Sequence, residues 1–314
     1  MKKLINLVAG LFAAALLCVA FVSPSRAVTA TTVYVSGGGN DANACSLTAP
    51  CRSISHAIAV IASGSTISCL DAGPYTETVN TSLSFTLDCR GVVYTSGSGF
   101  AISANAGITV RNAIFDGAAG GGGAASISGG GAVFENCTFQ NFTASPGIGV
   151  QFGPSAAGAQ LTVTGSVFAN NGIGTSGGGV VILPSAAITT GAVIERTQFV
   201  GNAYGIIASG NAGGTALVDV RYSTIASSVV DGIVANTTGS VASIVVEHSV
   251  SMRNGRNGIN AVGSNAYVSL ADSTVVWNAT GLATSSGGLI LSYQNNLIGG
   301  NPNPGVTPMS VSRQ

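Results

Sequence analysis

Val193-Ile194-Glu195-Arg196-Thr197-Gln198-Phe199 and Val218-Asp219-Val220-Arg221-Tyr222-Ser223-Thr224-Ile225 are two statements of one phrase. It returns as Val245-Val246-Glu247-His248-Ser249-Val250-Ser251 and as Val268-Ser269-Leu270-Ala271-Asp272-Ser273-Thr274-Val275. Each copy alternates apolar and polar residues, the period of a half-buried strand. Each is followed by a Gly-apolar step, at Gly205, Gly232, Gly258 and Gly281, spaced by 27, 26 and 23 residues. Short strands repeated with a period in the twenties predict a chain wound into a parallel β-helix, each turn burying its apolar side against the next.

Working outward, the repeat extends in both directions. Val110, Phe134, Val163, Ile194, Val220, Val246, Leu270 and Leu291 are expected to point inward, with steps of 24, 29, 31, 26, 26, 24 and 21. Longer steps carry loop insertions such as 172–178. The Gly-rich run 118–131 reads as loop and turn within a coil. Five residues after each inward position stand Phe115, Phe139, Phe168, Phe199, Ile225, Ser251 and Val275, a largely apolar internal column. Three after it stand Ala113, Cys137, Ser166, Thr197, Ser223, Ser249 and Ser273, all small, as a tight turn requires. In that column Cys137 reads as a buried small residue. Asn141, Asn170, Asn171, Asn202, Asn254 and Asn278 recur at the following turn and are expected to form an amide ladder.

The ends read differently. Residues 53–63 place apolar side chains at 54, 57, 58 and 61, a short amphipathic helix that would cap the open end of the solenoid. His56 on it reads as a surface histidine. Coils are expected over about 64–300. The tail 301–314, with Pro302, Pro304 and Pro308, is expected to cover the far end without continuing a strand.

Lys2 and Lys3 before an apolar run, then Ser25-Arg26-Ala27, mark residues 1–27 as a secretory signal peptide. Beyond it one domain spans 28–314, with no membrane span and a secreted destination. Removing three basic residues leaves eight against eleven acidic ones, a net charge of about −3 with no lysine. No basic stripe exists, which argues against nucleic acid. In an oxidising compartment Cys45 and Cys51, six apart, are expected to bridge. Cys69 and Cys89, twenty apart, would stack on neighbouring rungs about 4.8 Å apart, as a second bridge or as paired buried thiols. No Cys-x-x-Cys completes a metal set, and no cofactor is expected, calcium being left open.

Tyr34-Val-Ser, Asn40-Asp41, Ala49-Pro-Cys-Arg-Ser-Ile54, Gly64-Ser-Thr-Ile67 and Ala72-Gly-Pro-Tyr-Thr-Glu-Thr-Val79 resemble the opening of secreted bacterial right-handed β-helix repeat proteins of the pectate-lyase-like superfold. The ending Ser292-Tyr-Gln-Asn-Asn-Leu-Ile-Gly-Gly-Asn301 is similar to that group too. The resemblance implies an all-β right-handed parallel β-helix of roughly ten coils, and polysaccharide as the partner of its outer groove. The polygalacturonase-like Asn-Thr-Asp, Asp-Asp, His-Gly and Arg-Ile-Lys motifs are absent, as are the clustered acidic ligands of calcium-dependent pectate lyases.

The candidate site is the outward charge of neighbouring rungs. One residue past the inward position run Arg111, Glu135, Thr164, Glu195, Arg221, Glu247 and Ala271. Two past it run Asn112, Asn136, Gly165, Arg196, Tyr222, His248, Asp272 and Tyr293. His248 beside Asp272 suits general base work, with Tyr222 to stack on a sugar or donate a proton. Arg196 and Arg221 would bind substrate with Glu195 and Glu247, the latter two about 9.6 Å apart across two rungs. The competing reading is an alternating Glu–Arg–Glu ladder that balances its own charge. The favoured expectation is polysaccharide binding without catalysis; the alternatives are a uronate lyase or glycoside hydrolase, and an adhesin or structural protein.

Overall fold

The computed structural model describes residues 31–72, 75–94, 100–102, 106–117, 121–185 and 187–312. The expected signal peptide, 1–27, lies outside them. Each coil contributes one strand to each of three parallel sheets, of 12, 10 and 10 strands. One coil serves for all: Ala242–Glu247 in the first sheet, Val250–Met252 in the second, Asn257–Val262 in the third. Eight such coils, from Ile108 to Gly305, are regular. Of the two turns before them, the first has only the two-residue strands Tyr75–Thr76 and Asn80–Thr81 in its second and third sheets, so the regular solenoid is slightly shorter than the roughly ten coils expected. Among the described residues no helix is long and apolar enough to cross a membrane.

The core is built from self-stacking columns. Val110, Phe134, Val163, Ile194, Val220, Val246 and Leu270 pair in that register and are buried. Leu291 breaks the expectation: Leu270 pairs with Ser292, and Ile290 and Ser292 point inward instead. A one-residue slip exchanges the two faces of a strand, so an apolar residue on each side of Leu291 misleads the count. Phe115, Phe139, Phe168 and Phe199 form a continuous stack, with centroids 4.9, 4.6 and 4.9 Å apart and rings nearly parallel. Each such contact adds about 0.5–1.5 kcal/mol to the burial itself.

Polar columns close the corners. Ser223, Ser249 and Ser273 each donate a hydroxyl to the carbonyl two residues earlier, at Arg221, Glu247 and Ala271. The same oxygens accept the backbone N–H of Thr197, Ser223 and Ser249 on the preceding coil, at 3.1, 3.1 and 3.2 Å. Small hydroxyl residues recur here because one side chain then satisfies two buried backbone groups. The asparagines form two columns, not one. Asn171, Asn202, Asn254 and Asn278 are buried, and Asn278 passes the ladder on to Asn301. Asn141 and Asn170 sit one residue earlier, exposed to half-exposed, with positive φ of 61° and 57°. Adjacent asparagines at one turn hid the division.

Ile54–Val60 is the capping helix, shorter than 53–63 because Ser53 is its N-cap and Ile61 is extended. Ile54, Ala57, Ile58 and Ile61 are all buried, as the spacing required. The Glu77 carboxylate accepts from the N–H groups of Ile54 and Ser55, at 2.5 and 2.8 Å, where the helix start favours an anion. Disulfides join Cys45 to Cys51 and Cys69 to Cys89, the second linking adjacent coils. Two stretches differ from expectation. Within the Gly-rich run, Gly123–Ile127 is a strand of the third sheet, its small side chains packing where larger ones stand elsewhere; residues 118–120 are outside the described set. The tail continues the sheets: Asn303–Gly305 pairs with Thr280–Ser285 and Met309–Ser310 with Leu289–Ser292. Pro304 is tolerated on an edge strand, which need not donate.

Replacing Asn278 by Ala should cost about 1–3 kcal/mol, because it leaves the buried Asn254 backbone N–H without an acceptor and its side-chain amide with Ser251 Oγ alone. The urea midpoint measures it; an unshifted midpoint would mean the ladder contributes nothing.

Candidate functional site

The corner between the first and second sheets carries the expected site residues. Arg196, Tyr222, His248 and Asp272 occupy equivalent places on four successive coils, all in the left-handed region with φ of 49°, 48°, 47° and 48°. The first coils of this column use Asn112, Asn136 and Gly165, residues suited to that conformation. From Arg196 onward, larger side chains replace them at a backbone cost of about 1–2 kcal/mol each. The register slip removes Tyr293 from this column and puts Gln294 there, with φ of 67°.

The conformation throws these side chains outward. Tyr222 is 55 % exposed and stacks on His248, ring centroids 4.9 Å apart at 26°. His248 Nε2 lies 3.9 Å from Asp272 Oδ2, beyond hydrogen-bond reach. Asp272 instead receives the Asn295 amide and donates its own N–H to Asn295 Oδ1 at 3.1 Å. The corner therefore brings Tyr222, His248 and Asp272 side by side without an assembled hydrogen-bonded dyad.

In the neighbouring column Glu195, Arg221 and Glu247 align on adjacent strands as expected. The alternating ladder does not form between them. Arg221 turns along its own strand to Asp219 at 2.6 Å, and Arg196 reaches Glu195 at 2.8 Å. Arg111 and Glu135 do bridge adjacent coils, at 2.5 Å. Among the described residues the Glu247 carboxylate has no ion pair. The Asp219–Arg221 pair leaves Asp219 Oδ1 and Arg221 Nε without partners.

A trough runs beside this column on the outer face of the first sheet. One section, about 390 Å³, is lined by Thr109, Val133, Gln160 and Thr162; the other, about 340 Å³, by Val193, Leu217, Asp219 and Val245. Gln160 belongs to both, so the trough crosses six coils, about 24 Å at the usual strand spacing. Gly107, Gly131 and Gly191 hollow its floor. A Cβ at Gly191 would meet nothing nearer than Gln160 Cγ at 4.0 Å, so this glycine leaves open space above the sheet.

Residues 32–219 match the family model described as the right handed beta helix region. The chain belongs to that family. Among solved structures it is similar to the pectate lyase Pel9A, at 16% identity and a TM-score of 0.57, covering 91% of this chain and 80% of that one. It also aligns with the GH136 lacto-N-biosidase of Eubacterium ramulus, at 10% identity and a TM-score of 0.46, over 89% and 67%. No curated protein matches the sequence. At these identities the likeness is one of fold.

Other groups of this right handed β-helix did not stand out as a pattern in the sequence. A second left-handed corner stacks Asn141, Asn170, Gly201, Ser227, Arg253, Trp277 and Gly300. Trp277, the only tryptophan, lies between the Arg253 guanidinium, 5.4 Å from its ring, and Gly300, where a Cβ would sit 2.8 Å from the indole. The signal was there: Arg and Trp interrupt a column of Asn, Ser and Gly. Asp231 is fully buried and held by Arg256 at 2.7 and 2.8 Å and by the amides of Asn257 and Asn260, each at 2.9 Å. That bond to Asp231 raises the Arg256 pKa. The ligand atoms of Cys45, Cys51 and His56 lie within 4.8 Å of one another, yet the disulfide occupies both sulfurs. Burial pushes the Cys137 thiol up to about 12.

Two outcomes follow for the right handed β-helix. Arg196→Gly, which relieves a left-handed arginine, should raise stability by about 1 kcal/mol in urea unfolding; a loss would show that Arg196 is held by more than Glu195. Iodoacetamide at about pH 8 should leave Cys137 untouched in the folded protein and label it in denaturant, since only the thiolate reacts.

Proposed function

We propose that this right handed β-helix protein is secreted and binds a polysaccharide chain along the trough of the first sheet, without turning it over. The observation that carries the reading is the trough itself: six coils long, open, floored by Val193, Leu217 and Val245, and edged by polar and charged side chains. Apolar floor with a polar rim is what a sugar ring requires, since its C–H faces are apolar and its hydroxyls are not. Tyr222 and His248 extend the rim with an exposed aromatic stack. The similar solved structure Pel9A is a pectate lyase by name, which is in keeping with this reading. Two disulfides suit an oxidising compartment, and the N-terminal charge and apolar pattern suits export.

Lyase or hydrolase activity is the second reading, favoured by His248 lying 3.9 Å from Asp272 with Tyr222 stacked above. A small movement would bring the imidazole to the carboxylate, as catalytic contacts often tighten only on substrate binding. In it Arg196, Arg221, Glu195 and Glu247 are substrate contacts.

Gly191→Tyr should fill the trough without disturbing the fold and weaken glycan binding at least about tenfold, read by affinity electrophoresis. Retained affinity would place the ligand elsewhere. The same glycans, incubated with the protein and followed for new reducing ends or unsaturated products, should stay intact. Turnover abolished by His248→Ala would replace the binding reading with the catalytic one.

A further inference from the structure

We infer that the trough takes an uncharged polysaccharide and discriminates against polyuronates. This rests on the reading that the trough holds a glycan, and it names which kind. From Arg111 to Asp272, the outer face of the first sheet and its corner carry three arginines and five carboxylates. Each arginine is already committed: Arg111 to Glu135 at 2.5 Å, Arg196 to Glu195 at 2.8 Å, Arg221 to Asp219 at 2.6 Å. Glu247 and Asp272 lie outside those three arginine pairs. Asp272 is met by the Asn295 amide and faces His248, whereas no ion pair neutralises Glu247 among the described residues.

A polyuronate brings one carboxylate with every sugar. Along this trough it would find no uncommitted cation to receive it, and it would pass Glu247, two residues beyond Val245 on the same outward side of one strand. Recruiting Arg221 would strip Asp219, whose Oδ1 already lacks a partner. Opposed carboxylates at such range repel, and the repulsion is screened only by salt. A sugar hydroxyl meets a different situation, because it both donates and accepts. It donates to the Glu247 carboxylate without adding a charge, and asks nothing of the Asp219–Arg221 pair, whose Oδ1 and Nε are buried. Gln160, Thr162 and Ser243 continue such partners along the trough. The floor of Val193, Leu217 and Val245 then packs against C–H groups, with no charge to desolvate.

The test is calorimetric titration of the full chain with soluble neutral glycans (a β-glucan, a galactan, an arabinoxylan) and with polygalacturonate and alginate, at about 0.05 and about 0.5 M salt. The expected result is binding of a neutral glycan, little changed by salt, with both polyuronates at least about tenfold weaker at low salt. Glu247→Arg should narrow that gap at least about threefold by reversing one charge. Tighter binding of a polyuronate than of any neutral glycan, lost in Gly191→Tyr, would overturn the charge inference and leave trough binding standing. Binding of no glycan at all would sink both. Polyuronate binding that survives Gly191→Tyr would also count against both, placing an acidic-glycan site outside the trough.

Discussion

Every coil of this protein stands about 4.8 Å from the next, and that repeat decides what each position can be. A side chain in a parallel solenoid has copies of its own position directly above and below it. It must therefore tolerate stacking on its own kind. Phenylalanine does so face to face, serine by passing one hydroxyl to the coil before, and asparagine by an amide ladder. Charge does so badly, which explains why only 7% of the residues are charged. Those that remain on the first sheet's face neutralise one another, along a strand as readily as across strands.

This rule is also why so much was legible in the sequence. Columns that stack on themselves recur at constant offsets, so the inward residues, the phenylalanine stack, the small residues of the corner and the stacking of Cys69 on Cys89 could be read from spacing, but not whether that pair forms a bond. What escaped reading had particular causes. The last coil shortens its first strand, so Leu291 and its neighbours Ile290 and Ser292 exchanged places. Paired asparagines, such as Asn170-Asn171, hid two columns with opposite environments. Gly123–Ile127 has only Ile127 of the β-branched and aromatic residues that mark strands, and reads otherwise as a run of small residues.

The candidate site shows the same division. Neighbour relations among Arg196, Tyr222, His248 and Asp272 followed from the repeat. Their left-handed backbone did not, since nothing in a single tyrosine or histidine announces it. Nor did the pairing of Arg221 with Asp219, which depends on side-chain rotation within one strand. The trough was invisible because glycines make it: its floor is defined by side chains that are absent. A corner bearing exposed side chains in the left-handed region lies beside that hollow on one flank of the solenoid.

The disulfides lend the molecule a direction. Coil-to-coil hydrogen bonds run along the solenoid axis, so a pull between its ends loads them in series and the weakest junction parts first. Cys69–Cys89 joins the earliest coils covalently, and the helix Ile54–Val60 covers them, while at the other end the final strands Asn303–Gly305 and Met309–Ser310 are each held by pairing at two positions. Under tension the chain would peel from its C-terminal end, one turn at a time, toward a stapled end that stays wound. As an anchored fibre it would behave like a spool with one end tied.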